Sequence, residues 1–316
     1  MRLRNWVGAL RGRRSCRGCK PWATNFRPLA LVLLAALCSF AQAQNPDLIF
    51  NIDGRMQFLT GSQGPTFVRF YDNLGRHSVG SITFFTEAGF QGFVSEKFER
   101  IPGDADHDSL DQYYIEDQGI WRVGKQYLPF GSGRFLHESV LAVRGDTQLV
   151  MEGFPITVAA CDNGNGRQRG VVGRIGSRLG LSFAVGTHFG INATSFDLVR
   201  RPEDSPGVGH GYKTMIALDY SKNAGKLIDL GGEMIMVADG NTPSDHNDTM
   251  FDVTAKLQPD LRRSVTLGWT RDNAQRADFY RLMGAFTISR NLILEPIVRY
   301  KGGVLFDAGL TLHFKF

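Results

Sequence analysis

The stretch "DAGLTLHFKF", Asp307 to Phe316, alternates without a break. Ala308, Leu310, Leu312, Phe314 and Phe316 fall on one side. Asp307, Gly309, Thr311, His313 and Lys315 fall on the other. A period of two is a strand with two unlike faces. In a soluble sandwich an aromatic last residue would be accidental. In a membrane barrel it follows from physics: the lipid side must be apolar at every second residue, and an aromatic end sits at the interface belt.

Working outward, the same period recurs. Leu48, Phe50, Ile52, Met56 and Phe58 alternate with Asn51, Asp53, Arg55 and Gln57. Leu179, Leu181, Phe183 and Val185 alternate with Ser182 and His188, and Ile216, Leu218 and Tyr220 with Lys213 and Asp219. Phe251, Val253, Ala255 and Leu257 alternate with Asp252 and Lys256, and Leu294 and Val298 with Glu295 and Arg299. No segment carries a helical stripe of 12 or more residues. Short turns (Ser177-Arg178, Pro259-Asp260, Arg290-Asn291) and longer polar connections (60–79, 189–208, 239–246) are the mark of an outer-membrane barrel.

The predicted fold is all-β: a transmembrane antiparallel up-and-down β-barrel of about 12 strands, with 14 as the second choice, preferring an even count. The strands are placed near 47–59, 81–98, 112–126, 168–176, 179–188, 210–221, 227–238, 248–258, 262–271, 278–289, 291–300 and 304–316. Residues 127–167 are read as one long outer connection. Each unpaired backbone group in hydrocarbon costs several kcal/mol, so the first strand is expected to pair with the last. A mean hydropathy of −0.17 does not exclude this fold, because alternation cancels in the average.

Residues 1–43 read as a signal peptide and 44–316 as the barrel. Eight cations and no acid precede the apolar run from Leu29 to Phe40, and Ala41-Gln42-Ala43 fits signal peptidase. Setting those eight aside leaves 28 cations against 31 acids, so the basic balance is no argument for nucleic acid. Leu37 before Cys38 does not fit a lipid anchor. Three of the four cysteines lie in the leader; Cys161 remains, so no internal disulfide is expected.

At its last strand the chain resembles bacterial outer-membrane proteins, in which a terminal phenylalanine is an assembly signal for the barrel-insertion machinery; that role falls on Phe316. A second resemblance lies in "WRVGKQYLPFGSGRF" (Trp121 to Phe135) and "RQRGVVGRIGSRLGLSFAVGTHFG" (Arg167 to Gly190). These look like the phosphate-selective porin O and P family on Val123, Gly124, Pro129, Phe130 and Gly131, then Phe183, Ala184, Val185 and Gly186. Residues 44–316 are few for that family's sixteen strands, and no lysine or arginine ladder is concentrated anywhere, so anion selectivity is not carried over.

The lumen is expected to mix signs. Its predicted lining sets Arg55, Arg174, Lys213, Lys256, Arg281, Arg299 and Lys315 against Asp53, Glu87, Asp219, Asp252, Glu295 and Asp307. Such charges either satisfy one another in a narrow barrel or set a field in an open one. The 127–167 connection, folded inward, would place Tyr127, Arg134 and Arg144 near a constriction. The reading is a passive channel for small hydrophilic solutes or ions, embedded in outer-membrane lipids, without cofactor or metal; many porins are trimers, but nothing identifies the face of a homo-oligomer. A non-conducting structural barrel and a barrel enzyme of lipase or protease type are the alternatives. His77, His188, His210, His246 and His313 show no motif spacing to a serine or carboxylate. The "DADHDSLD" run (Asp104 to Asp111) lacks the glycine and glutamate of a calcium loop and reads as a solvated turn.

Overall fold

Alternation becomes geometry in the computed structural model, with the oily side outward. Along Arg263–Asp272, Val265, Leu267 and Trp269 are exposed while Ser264, Thr270 and Asp272 are buried. Along Tyr212–Ala224, Ile216, Leu218 and Tyr220 are exposed while Met215, Ala217 and Asp219 are buried. Large apolar side chains turned outward, with carboxylates and hydroxyls turned inward, are the inverse of a water-soluble sheet.

The structure describes residues 48–61, 66–70, 76–86, 89–99, 109–137, 139–148, 154–162, 168–189, 191–193, 198–200, 212–225, 227–238, 248–273 and 276–316. The signal-peptide reading of 1–43 lies outside them, as do Glu87, His210, His246 and most of the Asp104–Asp111 run.

Strands run in chain order as β1 (Leu48–Gly61), β2 (Thr66–Arg69), β3 (Val79–Phe85), β4 (Gln91–Lys97), β5 (Leu110–Asp117), β6 (Trp121–Tyr127) and β7 (Ser139–Gln148). They continue as β8 (Pro155–Cys161), β9 (Arg169–Ile175), β10 (Leu179–Phe189), β11 (Ile191–Ala193), β12 (Leu198–Arg200) and β13 (Tyr212–Ala224). The last are β14 (Ile228–Ala238), β15 (Asp248–Asp260), β16 (Arg263–Asp272), β17 (Ala277–Ser289), β18 (Leu292–Lys301) and β19 (Val304–Lys315). β11 and β12 form a separate hairpin. The other 17 make one antiparallel sheet, in which β2 is a short piece laid along β1. Sixteen strands therefore form the wall.

The ring closes between β1 and β19, in register from Asp53 opposite Lys315 to Gly61 opposite Asp307. Phe316 completes the ladder: Ile52 N–H donates to its carbonyl at 2.8 Å, and its own N–H donates to the Ile52 carbonyl at 3.0 Å. This satisfies the backbone groups of both edges, as hydrocarbon demands.

Sixteen strands correct the expected twelve. The segments read as single strands at 81–98 and 112–126 are hairpins, β3–β4 and β5–β6. Their turns carry Gly89 and Gly119 at φ 84° and 82°, values that favour glycine. The supposed outer connection at 127–167 contains β7 and β8, which pair with each other and with β6 and β9. A full sixteen-stranded wall fits into 269 residues, Leu48 to Phe316, because most turns and several loops are short.

Rings lie across glycines on the outer face. Gly54 stands opposite Phe314, Gly92 opposite Phe84 and Gly173 opposite Phe183. A Cβ at any of the three glycines would enter the facing ring. Trp269, Tyr280 and Tyr300 stand side by side on β16, β17 and β18 at one rim, all exposed. Phe316 is exposed at the other, so exposed aromatic side chains stand at both ends of the wall, where an interface belt would lie.

Candidate functional site

β6 ends at Tyr127 and β7 begins at Ser139; the chain between them turns inward. Leu128, Phe130, Phe135 and Leu136 are buried in one apolar cluster with inward side chains of the wall, among them Val172, Ala184, Met215, Ile235 and Met250. Burying each phenylalanine contributes about 1.5–3 kcal/mol. Part of the barrel's interior is thus a packed core built on this loop.

Polar bonds fix the loop's other side. The buried Glu233 of β14 accepts from Ser132 N–H at 3.0 Å, Ser132 Oγ at 2.7 Å and Arg134 N–H at 3.1 Å, all on Oε2. Gly131 N–H donates to Ser182 Oγ of β10 at 2.9 Å. Gly131 has φ 56°, and a Cβ there would fall on the Glu233 carboxylate, so glycine is required twice over. The Arg134 guanidinium pairs with Asp252 and donates to Thr254 Oγ1 at 2.9 Å. Asp252 is a hub: it also takes both terminal nitrogens of Arg281, at 2.7 and 2.9 Å, and Thr270 Oγ1 at 2.6 Å.

From this hub a belt of ion pairs runs around the inner wall. Arg174 of β9 grips Asp219 of β13 at 2.6 and 3.1 Å and also donates to the Gly176 and Ser177 carbonyls. Arg144 donates to Asp146 at 2.9 Å, and Thr157 Oγ1 to the same carboxylate at 2.7 Å. Arg122 donates to Glu116 at 2.8 Å. Arg299, with no exposed surface, pairs with Asp307. At the closing seam His313 lies 3.0 Å from Asp53 and 3.4 Å from Glu295, with Arg55 at 3.3 Å. Arg76 reaches Glu295 from the far side of β1 at 2.7 Å. Among the described residues the hydrogen-bond partners of the His313 ring are all charged.

The structure places the sequence-derived lining as follows. Asp53, Arg55, Arg174, Asp219, Asp252, Arg281, Glu295, Arg299 and Asp307 join the inner-face ion pairs just described. Lys315 sits at the rim, 3.9 Å from Asp53 and mostly exposed. Lys213 and Lys256 share the face of Asp219 and Asp252 by strand alternation. Of the three residues expected at a constriction, Arg134 lies on the inward loop. Tyr127 stands at its root, its hydroxyl 2.9 Å from Asp111 and its ring stacked on His137. Arg144 belongs to β7 and lies away from the loop, because the segment assumed to be one connection holds two strands. Glu116, Arg122 and Glu233 were missed. Arg122 and Glu116 were hidden by reading β5 and β6 as one strand, and Glu233 by the neighbouring Gly231-Gly232, which blurs alternation.

No protein-family model matches the sequence, and no curated protein matches it. Solved structures do. A loop-deletion form of OmpT, an outer membrane protein of Vibrio cholerae, aligns with TM-score 0.60 and 11% identity, covering 86% of this chain and 100% of that one. An anion-selective porin from Comamonas acidovorans gives TM-score 0.57 and 12% identity over 86% and 99%. OmpF of Salmonella typhi, in complex with daunomycin, gives 0.54 and 12% over 85% and 97%. At such identities the likeness is one of fold. The chain has a porin-like, closed transmembrane β-barrel of the bacterial outer-membrane kind.

Proposed function

We propose that this barrel is a channel for passive diffusion of small hydrophilic solutes or ions, and that it is not an enzyme. The observation that carries the reading is the loop of residues 128–137, clamped to the inner wall through Glu233 and Asp252 inside a sixteen-stranded ring. A loop held by charge-assisted bonds and an apolar core is a fixed narrowing rather than a mobile flap. Charged side chains elsewhere on the inner face keep contact with water: Asp53, Arg76, Arg122 and Arg144 are between one-fifth and about one-third exposed. Sixteen strands also remove the argument for a narrow lumen that twelve would have supported.

The finer likeness to the phosphate-selective porins O and P belongs to the same proposal. Its support is that Pro129, Phe130 and Gly131 open the inward loop and that Phe183 to Gly186 lie on β10, which the loop touches through Ser182. Insertion into outer-membrane lipid by the barrel-insertion machinery, with Phe316 as its signal, is proposed on the same footing. So is a homo-oligomer; a matched Vibrio cholerae OmpT structure is described as a trimer form.

Single-channel recording in planar bilayers tests the reading. Discrete openings are expected, with an anion-to-cation permeability ratio below about tenfold, since the wall's charges are mostly paired. Absence of stepwise conductance from folded protein would refute the channel.

A further inference from the structure

Arg122 and Arg144 are direct partners across β6 and β7, both on the inner face. Like charges directly opposite each other destabilise a sheet pair. Each is tied to one carboxylate through one edge only: Arg122 through Nε and Nη2 to Glu116, Arg144 through Nε and Nη2 to Asp146. Among the described residues nothing bonds to Nη1 of either. Arg174 and Arg281 differ, because their Nη1 groups are taken by a carbonyl and a carboxylate. Two arginines at paired positions of neighbouring strands are therefore partly exposed, each with donors to spare.

An aromatic stack adjoins them. The Arg122 guanidinium covers the Tyr114 ring at 4.0 Å, and Tyr114 stacks on Phe93 at 5.1 Å between centroids. Phe93 and Tyr114 are half-buried on the inner face, in one row across β4 and β5. Apolar surface inside a polar wall contributes nothing to a bare inorganic ion. It does favour a solute with a flat apolar body.

We infer that Arg122 and Arg144, with the Tyr114–Phe93 stack beside them, form a solute subsite on the inner wall for a monocarboxylate that carries an aromatic ring. The carboxylate bridges the two open Nη1 edges and screens one arginine from the other. The ring lies along the stack. The subsite is near the short-turn end of the barrel, since β6 begins at Trp121 just after the turn that joins it to β5. It rests on the reading that the lumen admits solutes, but binding is measurable without conduction.

The test is saturation-transfer NMR with benzoate on the full chain folded in detergent, with protein-free micelles as blank. Benzoate protons are expected to receive saturation with a concentration dependence that levels off, and acetate to bind about tenfold more weakly or worse. Replacing both arginines, R122Q with R144Q, is expected to weaken benzoate by about tenfold or more, as loss of charge-assisted bonds implies. Tyr114→Leu should weaken benzoate and leave acetate unchanged. Arg144→Lys, which keeps the charge, should retain intermediate binding and guards against a variant that fails to fold; heat-shifted gel mobility reports folding for each. Equal binding of benzoate and acetate, or unchanged benzoate binding in the folded double variant, overturns the subsite. A barrel that binds benzoate yet never conducts would refute the channel and leave the subsite standing.

Discussion

Asp252 and Arg134 touch, yet they are predicted to fail differently. Asp252 is fully buried and serves Arg134, Arg281 and Thr270 together. Asp252→Asn leaves two guanidinium groups facing a neutral amide and should cost about 3 kcal/mol. Unfolding by urea in lipid vesicles, followed by tryptophan fluorescence, measures that loss. Arg134→Ala removes only one of several loop anchors, since Glu233 and the Phe130 and Phe135 burial remain. Stability should fall by about 1 kcal/mol or less, while unit conductance rises as the side chain leaves the narrowing. A substitution that leaves conductance and ion preference untouched would remove Arg134 from the solute path. At this scale the sequence was partly legible. Arg134 was reached through the expectation that the 127–167 segment folds inward. Its acceptors were not, because pairing with Glu233 and Asp252 depends on which strands the loop folds across, and the sequence places those about 100 and 118 residues away.

Strand elements were legible wherever their turns were polar. From β13 to β19 each apolar alternation ends at a recognisable turn, and the expected spans fall within a few residues of the strands. The failures at 81–98 and 112–126 have one physical cause: the alternation runs through a tight turn built on Gly89 or Gly119. A length check would have exposed the first, since 18 residues at about 3.3 Å each reach roughly twice the thickness of a bilayer core, but not the second, which is one residue longer than β1. Ring-over-glycine contacts make a further prediction for single strands. Gly92→Val drives a branched side chain into the Phe84 ring and should cost about 1–3 kcal/mol by overpacking. Gly119→Ser, at a turn with nothing near its Cβ, meets no neighbour and carries only the strain of φ 82°. The heat required to convert the compact gel form to the slow one compares them, and Gly92→Val should convert at the lower temperature.

The molecule as a whole is lopsided. One arc of the wall, β7 to β10 with β13 to β15, is backed by the loop and its apolar cluster. The arc from β16 through β19 and β1 adds only Phe279 to that cluster and carries charged contacts instead: Arg281 to Asp252, Arg299 to Asp307, and His313 among Asp53, Arg55 and Glu295. Closure of the ring was foreseen from hydrogen-bond necessity; the short β2 and the doubling of the β1 edge among β2 and β3 were not, because β2 is four residues long and carries no readable period. Thr60 and Ala308 are Cα partners in the closing ladder. Cysteines introduced at both positions should cross-link on mild oxidation of the folded barrel and remain separate in urea, which non-reducing electrophoresis resolves.

That ladder joins residues some 260 positions apart, as Asp53 and His313 are, whereas every other wall pairing except β1 with β3 and β10 with β13 joins consecutive strands. Hairpins can zip in sequence as each strand emerges, but the clasp has to wait until both ends meet, and its loop entropy is the largest in the molecule. Assembly should accordingly show a late, slow phase that belongs to the clasp alone: weakening His313 or Arg55 lengthens that phase and leaves the early burst of sheet formation at its original rate.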